Sequence, residues 1–448
     1  MTPINTNLSR MQGIELEFFL VDNEGKISNR ADEIISNAKK ALFRTEIKKE
    51  CGKSMLEVIS HPHISKREIF DRFFDDFESL MYEVNVNDLG LYHYATYPGK
   101  NKNEMRNDIR YYAKQQILGE KRWPKAGKCV GFHCHFSLPK KSFNPLIKFF
   151  YPDIISKQKN KVLNLYNLCI AIDPAITSLM QSSPYYEGKL MGKDARIMVY
   201  RGDKVFGYDN SLYEKHPEFG TLNSYEPDFE SLIQFLKKQS RDWKALLDEK
   251  EITRDQFGKT GKASFLDSSW RPVKISPHGT VESRGADMNS LPSVISTSHV
   301  LHSLSKYVQN ENIIVQPSDI GNTNPFTLED NILHVPLENQ LKNVLQKNSA
   351  LLGFDDRYVH KYSKALMSLV KRITPIEYRA PLRRFSQMIE SKTTASDEII
   401  KYVKKKQGYT NYEKIEQDVA KEFAVKCSDR IYKDILVSKK MSSNTLRF

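Results

Sequence analysis

The chain has 448 residues, 40% of them hydrophobic, with five cysteines and a formal net charge of +13 at pH 7. That is enough apolar material for a large core, while Cys51, Cys129, Cys134, Cys169 and Cys427 are too scattered for a disulfide framework or a thiolate zinc site. The charge suits an anionic partner, whether nucleotide, acidic metabolite or nucleic acid, and does not choose among them.

The first ten residues are polar and lead into no signal segment. The most apolar run, Leu165 to Ile176, is broken by Asp173 and Pro174, short of the roughly 20 residues a membrane helix needs. These features lead us to expect a cytoplasmic protein with no membrane partner.

The first element, Gly13-Ile14-Glu15-Leu16-Glu17-Phe18-Phe19-Leu20, alternates apolar and acidic residues and reads as a β-strand. Strand side chains repeat every two residues, so Glu15 and Glu17 share a face. Two adjacent carboxylates repel unless a cation or a substrate ammonium lies between them, which makes the pair a metal-site candidate; a solvated strand face is the plainer alternative.

Asn23-Glu24-Gly25 reads as a turn, Ala31 to Ala41 as a short helix, and Ser54 to Ser60 as a strand with one acid, Glu57, in an apolar run. Ser65-Lys66-Arg67-Glu68 has the form of a capping box, and the phenylalanines behind it (Phe70, Phe73, Phe74, Phe77) keep the spacing of a core-facing helix. Gly90 to Pro98 reads as another strand, followed by a polar helix from Glu104 to Ile117 carrying Arg110, Tyr111 and Tyr112.

Cys129 to Leu138 alternates again, putting His133, His135 and Ser137 on one face and Phe132, Cys134 and Phe136 on the other. Two imidazoles on one strand face suit a metal or a phosphate, although a lone histidine is commonly structural. A helix from Lys157 to Met180 precedes Ser182-Ser183-Pro184 and a glycine-punctuated loop, Gly192-Lys193-Asp194-Ala195-Arg196, whose basic residues could approach an anion. Gly207 to Glu230 is turn-rich and polar, the pattern of a lid or surface loop, and an amphipathic helix from Phe229 to Leu247 follows.

Trp270 to Ile275 and Gly279 to Arg284 form a predicted hairpin, with Glu282 and Arg284 on one face; a cross-face salt bridge is the alternative to a functional pair. From about Ser290 the pattern is helical nearly to the end. The Lys401 to Lys406 run reads as a solvated helix face, and Tyr378-Arg379-Ala380-Pro381 with Arg383 and Arg384 as a surface basic cluster or a substrate clamp.

Taken in order, these motifs resemble the carboxylate-amine ligases of the glutamate-cysteine ligase type, relatives of glutamine synthetase, over roughly residues 11 to 295. Gly13-Ile14-Glu15-Leu16-Glu17 is similar to that family's opening motif. Ser182 to Gly188 through Arg196 is similar to its Ser-Pro-aromatic-x-Gly loop, and Gly279-Thr280-Val281-Glu282-Ser283-Arg284 with Asp287 to its Gly-Thr-x-Glu-x-Arg-x-x-Asp segment. His133-Cys134-His135-Phe136-Ser137 resembles the histidine motif of glutamine synthetase itself. Asp194, where the ligases tend to have a small hydroxyl residue, and Ser283, where they often have an aromatic or apolar one, depart from the pattern.

The resemblance implies an α+β, glutamine synthetase-like fold: a curved antiparallel sheet forming a funnel, with helices outside. It implies a catalytic domain over 1–295 and a mainly helical region over 296–448 packed on it. It further implies ATP and magnesium or manganese, and activation of an acid, such as the amino acid glutamate, as an acyl phosphate that an amine captures. Glu15, Glu17, Glu57, His133 and Glu282 become metal ligands; His135, Ser137, Lys193 and Arg271 lie on the nucleotide side; Arg196, Arg284 and Glu282 act on the transferred phosphate or the substrate carboxylate. Two other readings stand beside this one: a small-molecule phosphotransferase on the same architecture, and a nucleic-acid-binding protein, against which the acids of the proposed site argue. The oligomeric state stays open, a homo-oligomer included.

Overall fold

The computed structural model of the protein describes residues 11–40, 45–253, 265–268 and 270–443. The polar first ten residues and Ala41, the expected end of the first helix, lie outside the described residues.

The fold is organised on the strand β1 (Gln12–Asp22), whose even-numbered residues Ile14, Leu16, Phe18 and Leu20 are fully buried. Strands β2 (Glu46–Lys49), β3 (Met55–Ile59), β4 (Leu89–Tyr92) and β5 (Gly131–Ser137) join it. Two short ladders, β6 (Phe143–Asn144) with β7 (Phe149–Phe150) and β8 (Tyr185–Tyr186) with β9 (Lys189–Leu190), stand apart. The hairpin β10 (Val273–Ser276) and β11 (Thr280–Asp287) completes a seven-stranded sheet of order β10-β11-β5-β1-β3-β2, with β4 also paired to β1. Every pairing in this sheet is antiparallel.

The helix α1 (Ala31–Lys40) and the helix α2 (Lys66–Val86) follow the predicted apolar spacing. Phe70, Phe73, Phe74 and Phe77 of α2 are buried, and Phe77 meets Phe18 of β1 with ring centroids 5.3 Å apart. Burial of each such ring stabilises by about 1.5–3 kcal/mol, which fixes the even face of β1 as the core face and leaves the odd face, with Glu15 and Glu17, for other uses. The capping box is not made: Ser65 stands at the N-cap of α2 without a side-chain hydrogen bond.

Four further helices follow in this part of the chain, α3 (Ile109–Leu118), α4 (Ser156–Met180), α5 (Ala195–Arg201) and α6 (Phe229–Glu249). By length and composition α4 could cross a membrane, which the broken apolar run did not suggest; 94% of its apolar window is buried inside the protein, as in a core helix. The predicted lid over Gly207 to Glu230 is instead a packed wall, because Leu212, Tyr213, Phe219 and Leu222 are buried among core residues. The later part is mostly helical, beginning with Leu291–Asn310, but a small sheet of Ile314–Pro317, Thr327–Glu329 and Ile332–Val335 interrupts it. Gln12 of β1 reaches that first helix, its Nε2 donating to Ser298 Oγ at 2.8 Å.

Candidate active site

Sheet register explains how residues far apart in sequence come to one face. Across β10, β11 and β5 the residues Lys274, Glu282 and His135 lie opposite one another; across β5 and β1, His133 faces Glu15; across β1, β3 and β2, Glu17, Glu57 and Lys48 form a third row. Directly opposed residues share a face, so all of these project from the side of the sheet opposite the core. They line a cavity of about 390 Å³, with Arg110 and Lys114 of α3 and Arg196 of α5 on other walls.

The acids and imidazoles are in contact. His133 Nδ1 is 2.9 Å from Glu15 Oε2 and its Nε2 3.5 Å from Glu17 Oε1, and His135 Nε2 is 3.1 Å from Glu15 Oε1. Three sets have ligand atoms within 4.8 Å of one another: Glu15, His135 and Glu282; Glu15, Glu57 and His133; and Glu17, Glu50 and Glu57. Arg284 Nη1 lies 3.3 Å from Glu282 Oε1, so the salt bridge anticipated as an alternative does form, but inside the cavity.

The electrostatics divide the cluster in two. Burial pushes the carboxyl of Glu57 well above its usual range, and Glu15, Glu50 and Glu17 push it further. Burial also raises Glu17. Burial would raise Glu282 too, but Arg284, Lys274 and His135 outweigh it and hold its pKa at about 2. Against the same upward push, His135 and His133 hold Glu15 well below the usual carboxylate value. The end of the cluster around Glu57 is therefore short of positive charge, while the end around Glu282 is supplied with it by the protein.

This donor set fits a hard divalent cation: oxygen ligands with one or two imidazoles and no thiolate suit magnesium or manganese better than zinc. Glu15, Glu17, Glu57, His133 and Glu282 could hold such ions, and Glu50 and His135 join them in these sets.

Arg196 reaches the cavity through a local irregularity. The pairing of β11 with β5 shifts register between Ser283 and Ala286, and carbonyls freed there accept from the guanidinium: Arg196 Nη1 donates to Gly285 O at 3.0 Å and to Ala286 O at 3.1 Å. Gly131 makes room for it, because a Cβ there would collide with Arg196 Nη2. Asp194 caps α5 by accepting from Ile197 N at 2.8 Å, and Asp287 accepts from Ser183 Oγ at 2.7 Å.

Three predicted residues stand elsewhere. Ser137 lies in a neighbouring recess of about 370 Å³ that shares Glu15, Lys48, His135 and His278 with the main cavity, and it accepts from Met11 N at 2.8 Å. Lys193 is outside the cavity lining, its ammonium paired with Asp397 and 3.2 Å from Asp355. Arg271 is also outside it, with Nε donating to Glu218 O at 2.7 Å and its guanidinium 5.2 Å above the ring of Phe235. Its parity explains this, since Arg271 alternates with the cavity-lining Pro272 and Lys274.

Sequence reasoning missed Lys48, Glu50 and Lys274, and gave Arg110 no role. Lys274 was recoverable, because the Ser276-to-Gly279 turn sets it opposite Glu282. Lys48 was not, since a four-residue strand with three charges gives no alternation to read.

Comparison with known proteins agrees with this geometry. The sequence pattern of glutamate-cysteine ligase family 2 (GCS2) matches residues 11–224. The crystal structure of a glutamate-cysteine ligase from Francisella tularensis in complex with AMP superposes with a TM-score of 0.57 at 14% identity, over 98% of this chain and 93% of that one. A bifunctional glutathione synthetase from Pasteurella multocida superposes with a TM-score of 0.56 at 11% identity, over 97% of this chain but 56% of that one. No curated protein matches the sequence. Over residues 11–224 the chain is thus similar to glutamate-cysteine ligase family 2, and along its length it shares an α+β fold, a large antiparallel sheet with helices, with a solved glutamate-cysteine ligase.

Proposed function

We propose that the protein is an ATP-dependent carboxylate-amine ligase that forms an amide or peptide bond through an acyl phosphate and releases ADP and phosphate. The observation that carries this reading is the pairing, in one cavity, of a carboxylate and imidazole cluster with the cations Arg196, Arg284 and Lys274. Bringing a γ-phosphoryl group to a carboxylate joins two anions, and such a reaction proceeds by positioning and charge neutralisation.

Glu15, Glu17, Glu57, His133 and Glu282 would hold magnesium or manganese, which when bound supplies positive charge to the nucleotide phosphates. The family match and the AMP bound to the Francisella relative support nucleotide use. Arg284, held by Glu282, and Arg196, held by the carbonyls of β11, stay fixed as the charge moves, so neither has to reorganise. Arg196 is above its usual pKa: burial lowers it, but Tyr200, Glu17 and Asp287 outweigh that. It remains cationic at any working pH. His135 faces both the acid cluster and the recess that contains Ser137, the position expected of a nucleotide-side contact. We assign catalysis to residues 1–295 and support of the sheet's core face to 296–448.

The test is a screen of amino acid and amine pairs with ATP and magnesium, scoring phosphate release and a new product mass. Phosphate and product that appear only when both partners are present support ligation. Phosphorylation of a single small molecule would instead place the protein among phosphotransferases.

A further inference from the structure

Two acids near Arg196 take no part in lining the cavity. Asp194 and Asp287 are both fully buried, and their carboxyl groups are in hydrogen-bond contact with each other. Asp194 caps α5, its Oδ1 accepting from Ile197 N at 2.8 Å; Asp287 ends β11, its Oδ2 accepting from Ser182 N at 2.9 Å. Ser183 lies between them, but its one hydroxyl proton goes to Asp287 Oδ2 at 2.7 Å, with Asp194 Oδ1 at 3.5 Å. One oxygen of each acid, Asp194 Oδ2 and Asp287 Oδ1, is therefore buried without a donor among the described residues.

Two ionised carboxylates in contact and away from water repel each other and leave both of those oxygens unsatisfied. A single proton held between them removes both defects. Burial, and then the charge of Asp287, keeps Asp194 well above the usual carboxylate range; burial also pushes Asp287 up to about 6, against the restraint of Arg196, Ser183 and Ser182. Near neutral pH the pair thus holds one proton and one negative charge. The other charged or titratable groups facing it are Arg196 and Arg201 on α5, the latter paired with Asp173 of α4 at 2.7 Å, and the thiol of Cys129, which burial keeps protonated. A small hydroxyl residue at 194 could accept from the helix and donate to Asp287 at any pH, whereas a carboxyl does both only while it carries a proton.

We propose that Asp194 and Asp287 share one proton and, joined by it, form a positioning pair that fastens the helix carrying Arg196 to the strand whose carbonyls hold the Arg196 guanidinium. The contact ties the first turn of α5 to the end of β11, so the backbone of Arg196 and the acceptors of its side chain keep one spacing. Loss of the proton at alkaline pH sets two negative charges against each other at that joint and frees Arg196 to move. The part of Arg196 in turnover rests on the ligase reading; the shared proton and the fastening of α5 do not.

The experiment is infrared spectroscopy of the full chain with carbon-13 in its aspartate carboxyls, in chelator, beside amide exchange of α5 by mass spectrometry and the pH profile of phosphate release. Labelling aspartate alone keeps Glu57 out of the signal. The wild type at neutral pH should show a protonated aspartic carboxyl that Asp194→Asn lacks, and this band should titrate away as pH rises. Protection of the α5 amides, relative to Asp194→Asn at the same pH, should fall with it. Asp194→Asn and Asp194→Ser donate to Asp287 without titrating, so they should keep most of kcat/KM at neutral pH and retain it at alkaline pH, where the wild type declines. Asp194→Ala should lose about a hundredfold, the scale of a misplaced catalytic group; should it fold poorly, the other two variants decide. No Asp194-dependent band, no alkaline loss of α5 protection, or the same alkaline limb in wild type and both donor variants would overturn the pair. Any of these with ligation intact spares the ligase reading, whereas the band and the exchange pattern in a protein that ligates nothing would overturn only the ligase reading.

Discussion

Replacing Glu57 with glutamine should stabilise the metal-free protein and abolish its gain from metal. Carboxylate oxygens of Glu17, Glu50 and Glu57 lie within 4.8 Å of one another, and Glu15 with Glu57 and His133 forms a second such set. Two full charges at that separation repel by about 3.5 kcal/mol at an effective dielectric of 20. The protein evades part of this by protonation, since burial and these neighbours raise Glu57, so we expect a gain of about 1–3 kcal/mol for Glu57→Gln near neutral pH in chelator. A carboxyl raised in the folded state contributes stability at low pH and loses it as pH rises through the raised value. The advantage of Glu57→Gln should therefore grow with pH. Unfolding entropy of about 2.1 cal/mol/K per residue makes the corresponding rise in Tm only about 1–3 °C, within reach of scanning calorimetry.

Excess Mn2+ should reverse the order. Wild type gains about 2.7 kcal/mol at a hundredfold excess over Kd, and Glu57→Gln gains little, so the two stabilities cross as metal is added. A variant that is less stable than wild type in chelator, or that gains as much from Mn2+, would refute the reasoning that these carboxylates are arranged for a cation.

Glu17→Ala and Glu282→Ala should each abolish ATP turnover while circular dichroism remains native; wild-type turnover in either would remove that residue from the site. Gly131→Ala should displace Arg196, since the added Cβ meets its Nη2, and a loss of transition-state stabilisation of about 2.7–4 kcal/mol in kcat/KM is expected by analogy with removal of one oxyanion donor; unchanged kinetics would deny Arg196 a role. His93 is buried, and burial, with Arg430, lowers its pKa from 6.5 to about 3. It is neutral when folded and takes a proton when unfolded, so stability should be lost as pH falls from about 6.5 toward about 3, amounting to several kcal/mol. Denaturant unfolding of His93→Leu should show a flatter acid limb, and an identical limb would count against this.

Much of the site was legible because strand parity is a rigid rule. Glu15 with Glu17, His133 with His135, and Glu282 with Arg284 were each assigned to one face from spacing alone, and the structure places all six in the cavity lining. Glu57 was legible as an acid in an apolar strand. What was not legible depends on tertiary placement. Glu50 follows a short, charged strand whose register only β3 supplies. Arg110 and Lys114 sit on a helix whose inward face is set by packing on Trp123 and Trp270. Gly207 to Glu230 looked like an open loop because its apolar residues follow no period, yet Leu212, Tyr213, Phe219 and Leu222 anchor it in the core.

The central claim, ligation through an acyl phosphate, is tested most directly by isotope transfer. The full-length protein would be given ATP, magnesium, an amine and an amino acid labelled with 18-oxygen in its carboxylate, using whichever pair supports phosphate release. The account predicts one labelled oxygen in free phosphate, with ADP as the nucleotide product, because the acid's own oxygen leaves with the phosphoryl group when the amine attacks. Label in AMP with pyrophosphate released, or unlabelled phosphate accompanying amide formation, would contradict it.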